Sequence, residues 1–282
     1  MIKEINGMLG TSFEKALFKA ALKNLEDTSN PLRLNNYSYS MRELTRHVLH
    51  RLAPETNVVA CSWYKNETDK EDGVTRKQRA IYAVQGGLSD SYVEDVLGLE
   101  VDKIHTTLIR VIKGLNKFTH IEPNVFDLPG ERIENLVNET TKAVYDFLTT
   151  INECRALIVD KLWEHIDSAV IDETLRETII EIDELASHSY IDEVYTDTIV
   201  ITEIDHRVIK FMAEGSIGCE LQWGSNSDIR KGDGAVLPQS FPYQCQLTSP
   251  VDSPDEVEVR EDSFGVDTSS WTDTRYGQDE QA

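Results

Sequence analysis

Apolar residues recur every third or fourth position up to about residue 190, and every second position after about residue 193. The pattern predicts helices followed by a sheet. Thr11-Ser-Phe-Glu14 has the spacing of a capping box and opens a helix with Phe13, Leu17, Ala20 and Ala21 on one side, stopped before Pro31. Ser40-Met-Arg-Glu43 repeats that spacing and opens a helix with Met41, Leu44 and Val48 inward, ended by Pro54. A helix from about Arg76 to Gln85 is closed by Gly86-Gly87, and Ser91 with Glu94 opens a short one. The best periodicity, Ile104, Leu108, Val111, Leu115 and Phe118, precedes Pro123. Two long helices are predicted next. One carries Ile133, Leu136, Val137, Val144, Phe147, Leu148 and Ile151, and its continuation carries Ile158, Leu162, Ile166 and Ala169. A last helix is read from about residue 174 to 189.

The alternating runs YTDTIVITEI, HRVIKFMAEG and IGCELQWGS predict antiparallel strands with turns at Ile204-Asp205 and Gly215-Ser216. SNSDIRKGDG reads as a long polar loop, SFPYQCQL as the returning strand and VEVR as an edge. The fold class is therefore α+β: a mainly helical bundle over residues 1–190, an antiparallel β domain over 191–261 and an acidic, disordered tail over 262–282.

Charge changes this picture. The 282 residues include 28 Lys and Arg against 50 Asp and Glu, a formal net charge of −22. A surface so acidic repels phosphate at long range, which excludes non-specific coating of nucleic acid. The excess is not spread evenly: residues 1–130 are neutral, residues 131–205 carry −14, residues 206–248 are neutral and residues 249–282 carry −8. A locally basic site fits the first part only. Every apolar stretch near the start is broken by Lys, Glu or Asn, so a cytoplasmic protein without a membrane span is expected. Cys61, Cys154, Cys219 and Cys245 lack CxxC spacing and read as buried thiols. Trp63, Trp163, Trp223 and Trp271 are too scattered in sequence to predict a stacking platform.

Three groups of residues, and a basic cluster at the start of another predicted helix, could carry chemistry. In Met41–Arg51, three Arg and two His fall on one short helix. His moves protons near neutral pH and the Arg fork holds phosphate, a combination suited to RNA cleavage with no metal or other cofactor. Arg42 and His47 lie about 140° apart around the helix axis, whereas Glu43/His47 and Arg46/His50 share a face. The bland reading is a solvated basic face. The second group, Asn116, Lys117 and His120, ends the most regular helix; His120 is either a C-terminal capping residue or part of the same site. Arg76 and Arg79, in Thr75-Arg-Lys-Gln-Arg79, would line one side of a substrate path or simply start a helix. The third group, Glu184, His188 and Asp192, would share a helical face and could hold a divalent metal.

At NYSYSMRELTRHVLHRLAP, CSWYKNET, TRKQRAIYAVQGGLSD, LNKFTHIEP, CELQWGSNSDIRKGDGAVLPQSFPY and EDSFGVDTSSW, the chain resembles the predicted nucleases encoded beside prokaryotic PIWI-like proteins in phage-defence loci. The helical half is also similar to HEPN ribonucleases, whose mark is Arg, four to six residues, then His; Arg42 and His47 match it. The resemblance implies an RNA-cleaving effector with His47 moving the proton, Arg42 on the phosphate and a composite site across a homodimer or higher oligomer; apart from the resemblance, His120 joins the catalytic group if its helix packs against the Arg/His helix. Arg46, His50, Asn116, Lys117, Arg76 and Arg79 would bind the RNA. Two other readings stand beside it. One is a non-catalytic adaptor whose acidic segments dock on another defence-system protein. The other is a metal-dependent nuclease built on Glu184, His188 and Asp192.

Overall fold

The computed structural model describes residues 1–98, 126–176 and 178–271, together with 106, 109 and 110. The chain is α+β, helices first and an antiparallel sheet after them, and it forms two compact units, Met1–Leu157 and Ile158–Ala282. Apart from residues 106, 109 and 110, the regular helix expected over residues 104–118 lies outside the described residues.

The first unit contains α1 (Ile2–Met8), α2 (Ser12–Lys23), α3 (Arg33–Leu52), α4 (Glu55–Val59), α5 (Arg76–Gln85), a π-helical turn (Tyr92–Val96) and the start of α6 (Gly130–Arg176). Thr11 caps α2 as its spacing requires: its hydroxyl accepts from the Glu14 amide at 3.1 Å. The same Glu14 sets which face of α2 turns inward. Only 2% exposed, it receives Arg51 of α3 at 2.7 and 3.2 Å, so Glu14, Phe18 and Ala21 are buried; of the expected stripe Ala21 and Leu17 face the core, while Phe13 and Ala20 are exposed. Burial pushes the Glu14 carboxyl up. Hydrogen bonds from Arg51 and from the Gly10 and Thr11 amides outweigh that push and hold it below its ordinary value.

Helix α3 begins at Arg33, not at Ser40. Its buried positions run back from Val48, Leu44 and Met41 through Tyr37 to Leu34, continuing the helical period. Ser40 sits inside the helix with its hydroxyl donating to the Asn36 carbonyl at 2.8 Å, the usual refuge of a mid-helix serine. Tyr37, Met41, Leu44 and Val48 join Phe18 and Ala21 of α2, Ala80 and Ala83 of α5 and Val144, Phe147 and Ile151 of α6 in one core. Thr75 and Gln78 form a capping box at the start of α5, and Gly86 closes that helix at φ 57°, where a side chain would be strained.

Helix α6 is one run of 47 residues where two helices were expected. The last predicted helix is mostly absent: α6 stops at Arg176, α7 is only Ile180–Asp183, and His188 already begins β1. The reason lies in HSYIDEV, whose alternation pairs with a partner strand, His188 opposite Gln222 and Ile191 opposite Cys219. In the second unit β1 (His188–Ile204), β2 (Val208–Trp223) and β3 (Ala235–Pro250) form an antiparallel meander, flanked at β3 by β4 (Glu258–Val259) and β5 (Gly265–Val266). The turn expected at Ile204-Asp205 is present, with Asp205 accepting from the Arg207 and Val208 amides.

No turn occurs at Gly215-Ser216, which lie in the middle of β2. Gly215 answers a different need. A Cβ there would collide with the Tyr195 carbonyl oxygen and come within 2.7 Å of the Tyr243 ring, so the glycine marks a close crossing of strands. Gly215→Ala is expected to cost about 2 kcal/mol of stability, an overpacking penalty measurable by urea unfolding. The polar stretch read as a loop contains α8 (Asn226–Lys231), because Ser225 and Asp228 form a capping box. The stretch read as a disordered tail includes β5. Trp271 beyond it stacks on Trp223, ring centroids 5.8 Å apart and nearly parallel, so two of the four tryptophans meet although sequence separates them. All four cysteines are buried and free. Among the described residues no helix is long and apolar enough to cross a membrane.

Candidate functional site

Helix α3 turns one face to the core, and its polar face meets the start of α5. Between them lies a cavity of about 280 Å³, lined by Arg42, Glu43, Thr45, Arg46, Leu49 and His50 of α3, Val74 of the preceding loop, and Arg76 and Arg79 of α5. Four guanidinium groups and one carboxylate therefore line it. Leu49 and Val74 supply an apolar wall.

Glu43, Arg42, Arg46 and Arg79 are each held by a neighbour. Glu43 accepts from Arg42 at 3.2 Å and from Arg46 at 2.7 Å, bridging two of the four guanidinium groups. Burial raises the Glu43 carboxyl, but those two hydrogen bonds bring it below its ordinary value, so it stays ionised. Arg79 is the most enclosed of the four, 6% exposed. It donates to the carbonyl of Ala53, the C-terminal cap of α3, and to Glu55 at 2.6 Å. One side chain of α5 thus fixes the end of the helix that carries most of the cavity lining. The sequence signal for it is the Thr75–Gln78 capping box, which sets the phase of α5 and turns Arg79 inward.

His50 lines the cavity at the last turn of α3 and is exposed. The surrounding protein withdraws part of its hydration, and the positive fields of Arg79 and Arg46 add to that effect, so its pKa lies below the ordinary histidine value despite Glu55. A neutral imidazole among cations is a base ready to take a proton near neutral pH.

His47 goes elsewhere. Its ring meets Phe13 of α2 edge-on at 4.9 Å, and it is not part of the cavity lining. Its Nε2 lies 3.2 Å from Nη2 of Arg46, so it touches the cavity only through that arginine. The rotation of about 140° between positions five apart puts Arg42 and His47 on different surfaces of α3. Of the residues singled out in the sequence, the structure brings together Arg42, Arg46, His50, Arg76 and Arg79. Asn116, Lys117 and His120 lie outside the described residues.

The alternative metal set comes apart. Glu184 follows the end of α7, and His188 and Asp192 lie in β1, so no helix carries the three on one face. Among the described residues no group of three or more His, Cys, Asp and Glu is placed to hold a metal ion.

Two family models match the chain, both described as predicted pPIWI-associating nuclease; one covers residues 6–144 and the other residues 151–272. The first match contains every residue of the cavity. No curated protein and no solved structure matches.

Proposed function

The chain belongs to the predicted pPIWI-associating nucleases, and from that premise we propose that it cleaves RNA at the arginine-lined cavity without a metal, as the effector of a prokaryotic anti-phage defence system. The observation that carries this reading is the convergence of Arg42, Arg46, Arg76, Arg79 and His50 on one cavity in the charge-neutral part of a strongly acidic chain. Phosphodiester cleavage gathers negative charge on the phosphate oxygens, and preorganised guanidinium groups stabilise it. RNA brings its own nucleophile. His50 takes the proton of the 2′-hydroxyl, that oxygen attacks the adjacent phosphorus, and the P–O5′ bond breaks to leave a cyclic phosphate. The departing 5′-oxygen takes a proton from water at the mouth of the cavity. His47 acts one step removed, as a positioning residue for Arg46.

The test is a labelled RNA incubated in EDTA with the wild type and with Arg46→Ala. Cleavage by the wild type, reduced about a hundredfold in the variant, is the expected result. Equal cleavage by both, or activity that requires an added divalent ion, overturns the proposal.

Docking on a partner protein is a second role compatible with the first. It is favoured by the −14 of residues 131–205, of which Asp192, Glu193, Asp197 and Glu203 fall on β1 with no Lys or Arg between His188 and Ile204. A basic partner would meet this acidity by charge complementarity and give salt-sensitive association.

A further inference from the structure

Two aromatic rings stand exposed beside the arginine cavity without belonging to any core. Tyr39 is 52% exposed and Phe13 54% exposed. Single exposed rings are common on protein surfaces. These two are distinguished by their contacts: the Arg42 guanidinium lies over the Tyr39 ring at 5.3 Å, and Phe13 meets His47 at 4.9 Å, which in turn touches Arg46. At 100° per residue, Tyr39, Arg46 and His50 fall within about 20° of one line along α3, and at 1.5 Å per residue the line is about 16 Å long. Tyr39 stands at one end and His50 at the other, with guanidinium groups between them.

We infer that Tyr39 is a specificity-determining residue that seats an unpaired base of the substrate strand while the neighbouring phosphates lie along Arg42 and Arg46. The inference rests on the cavity being the cleavage site. Aromatic rings spaced along a cationic track recognise nucleic acid by stacking on base faces, and a duplex hides those faces between its own pairs. Tyr39 therefore selects single strands. Its ring also keeps Arg42 in place: a base laid on Tyr39 extends the stack of cation and ring that already exists.

The experiment uses the full chain carrying His50→Ala, so that substrate survives, and fluorescence anisotropy of a labelled oligoadenylate, alone and annealed to oligouridylate. The expected result is tighter binding of the single strand than of the duplex. Adding Tyr39→Ala should weaken the single strand about tenfold, the scale of one base–aromatic stack, and Tyr39→Phe should restore it. Equal affinity for strand and duplex, an unaffected Tyr39→Ala, or a Tyr39→Phe as weak as the alanine variant overturns the inference. Arg46→Ala in the same background separates the two levels of the argument. If it weakens the strand while Tyr39→Ala does not, only the stacking role fails; if it leaves affinity unchanged, binding is not at the cavity and the proposed function fails with it. Tyr39 is outside the core, and equal thermal unfolding of the variants checks that folding is not the cause.

Discussion

If the proposed RNA cleavage takes place at the arginine-lined cavity, His50→Ala is expected to lower it about a thousandfold, the usual scale for loss of a positioned general base, and His47→Ala less than tenfold. The difference follows from where α3 turns each ring: His50 into the cavity among Arg46, Arg76 and Arg79, His47 against Phe13. The pH dependence carries the sign. A base works when neutral, so cleavage rises with pH through the His50 pKa, which lost hydration and the fields of Arg79 and Arg46 hold below the ordinary value. The acid limb therefore lies under about pH 6.5. Arg46→Gln removes one of the cations responsible and moves that limb upward, on top of its effect on the rate. A silent His50→Ala with a crippled His47→Ala would restore the Arg42/His47 pair as the reacting couple.

Glu14→Ala destabilises the first unit by about 3 kcal/mol. Losing the capping box costs about 1 kcal/mol, and losing charge-assisted hydrogen bonds to Arg51 costs about 2 kcal/mol more, discounted because Arg51 is a third exposed and turns to water. The group is a carboxyl whose pKa is lowered in the folded state, so its contribution is complete above its ordinary value of 4.5 and is lost as pH falls through the folded value. Urea unfolding of wild type and Glu14→Ala should differ most near neutrality and converge in acid. A difference independent of pH would show that Glu14 acts by packing alone.

The class of the fold was legible because period 3.6 and period 2 occupy separate parts of the chain. Boundaries were less so, and each miss has a local cause. Ser40 and Glu43 have capping-box spacing, but the apolar stripe extends behind them to Leu34, and burial of that stripe outweighs a cap. Glycine at 215 signals either a turn or a close approach, and only the register against Tyr195 and Tyr243 distinguishes them. Ser225 and Asp228 have the same box with Asp in the third place, hidden inside a stretch whose composition reads as loop.

At the site, the i, i+4 pair Arg46/His50 was readable as one face of a helix. The choice between His47 and His50 was not, because nothing in the order of residues says which side of α3 is closed by α2 and which meets α5. Glu43 looked like a capping residue and is the bridge between two arginines. Arg79 looked like an ordinary helix start and is the tie to the end of α3.

The four buried thiols have a consequence for how the molecule can be watched. Cys61 and Cys154 lie within residues 1–157, and Cys219 and Cys245 within residues 158–282. Burial, with minor help from nearby carboxylates, pushes the thiols of Cys154 and Cys219 up to about 11 and that of Cys245 up to about 12. Thiol-seeking reagents attack the thiolate, so such side chains are inert until the protein around them opens. The cysteines thus form two native pairs of timers, one in each unit. Their labelling rates, separated by peptide mapping, would report the opening free energy of each unit independently, without any introduced probe.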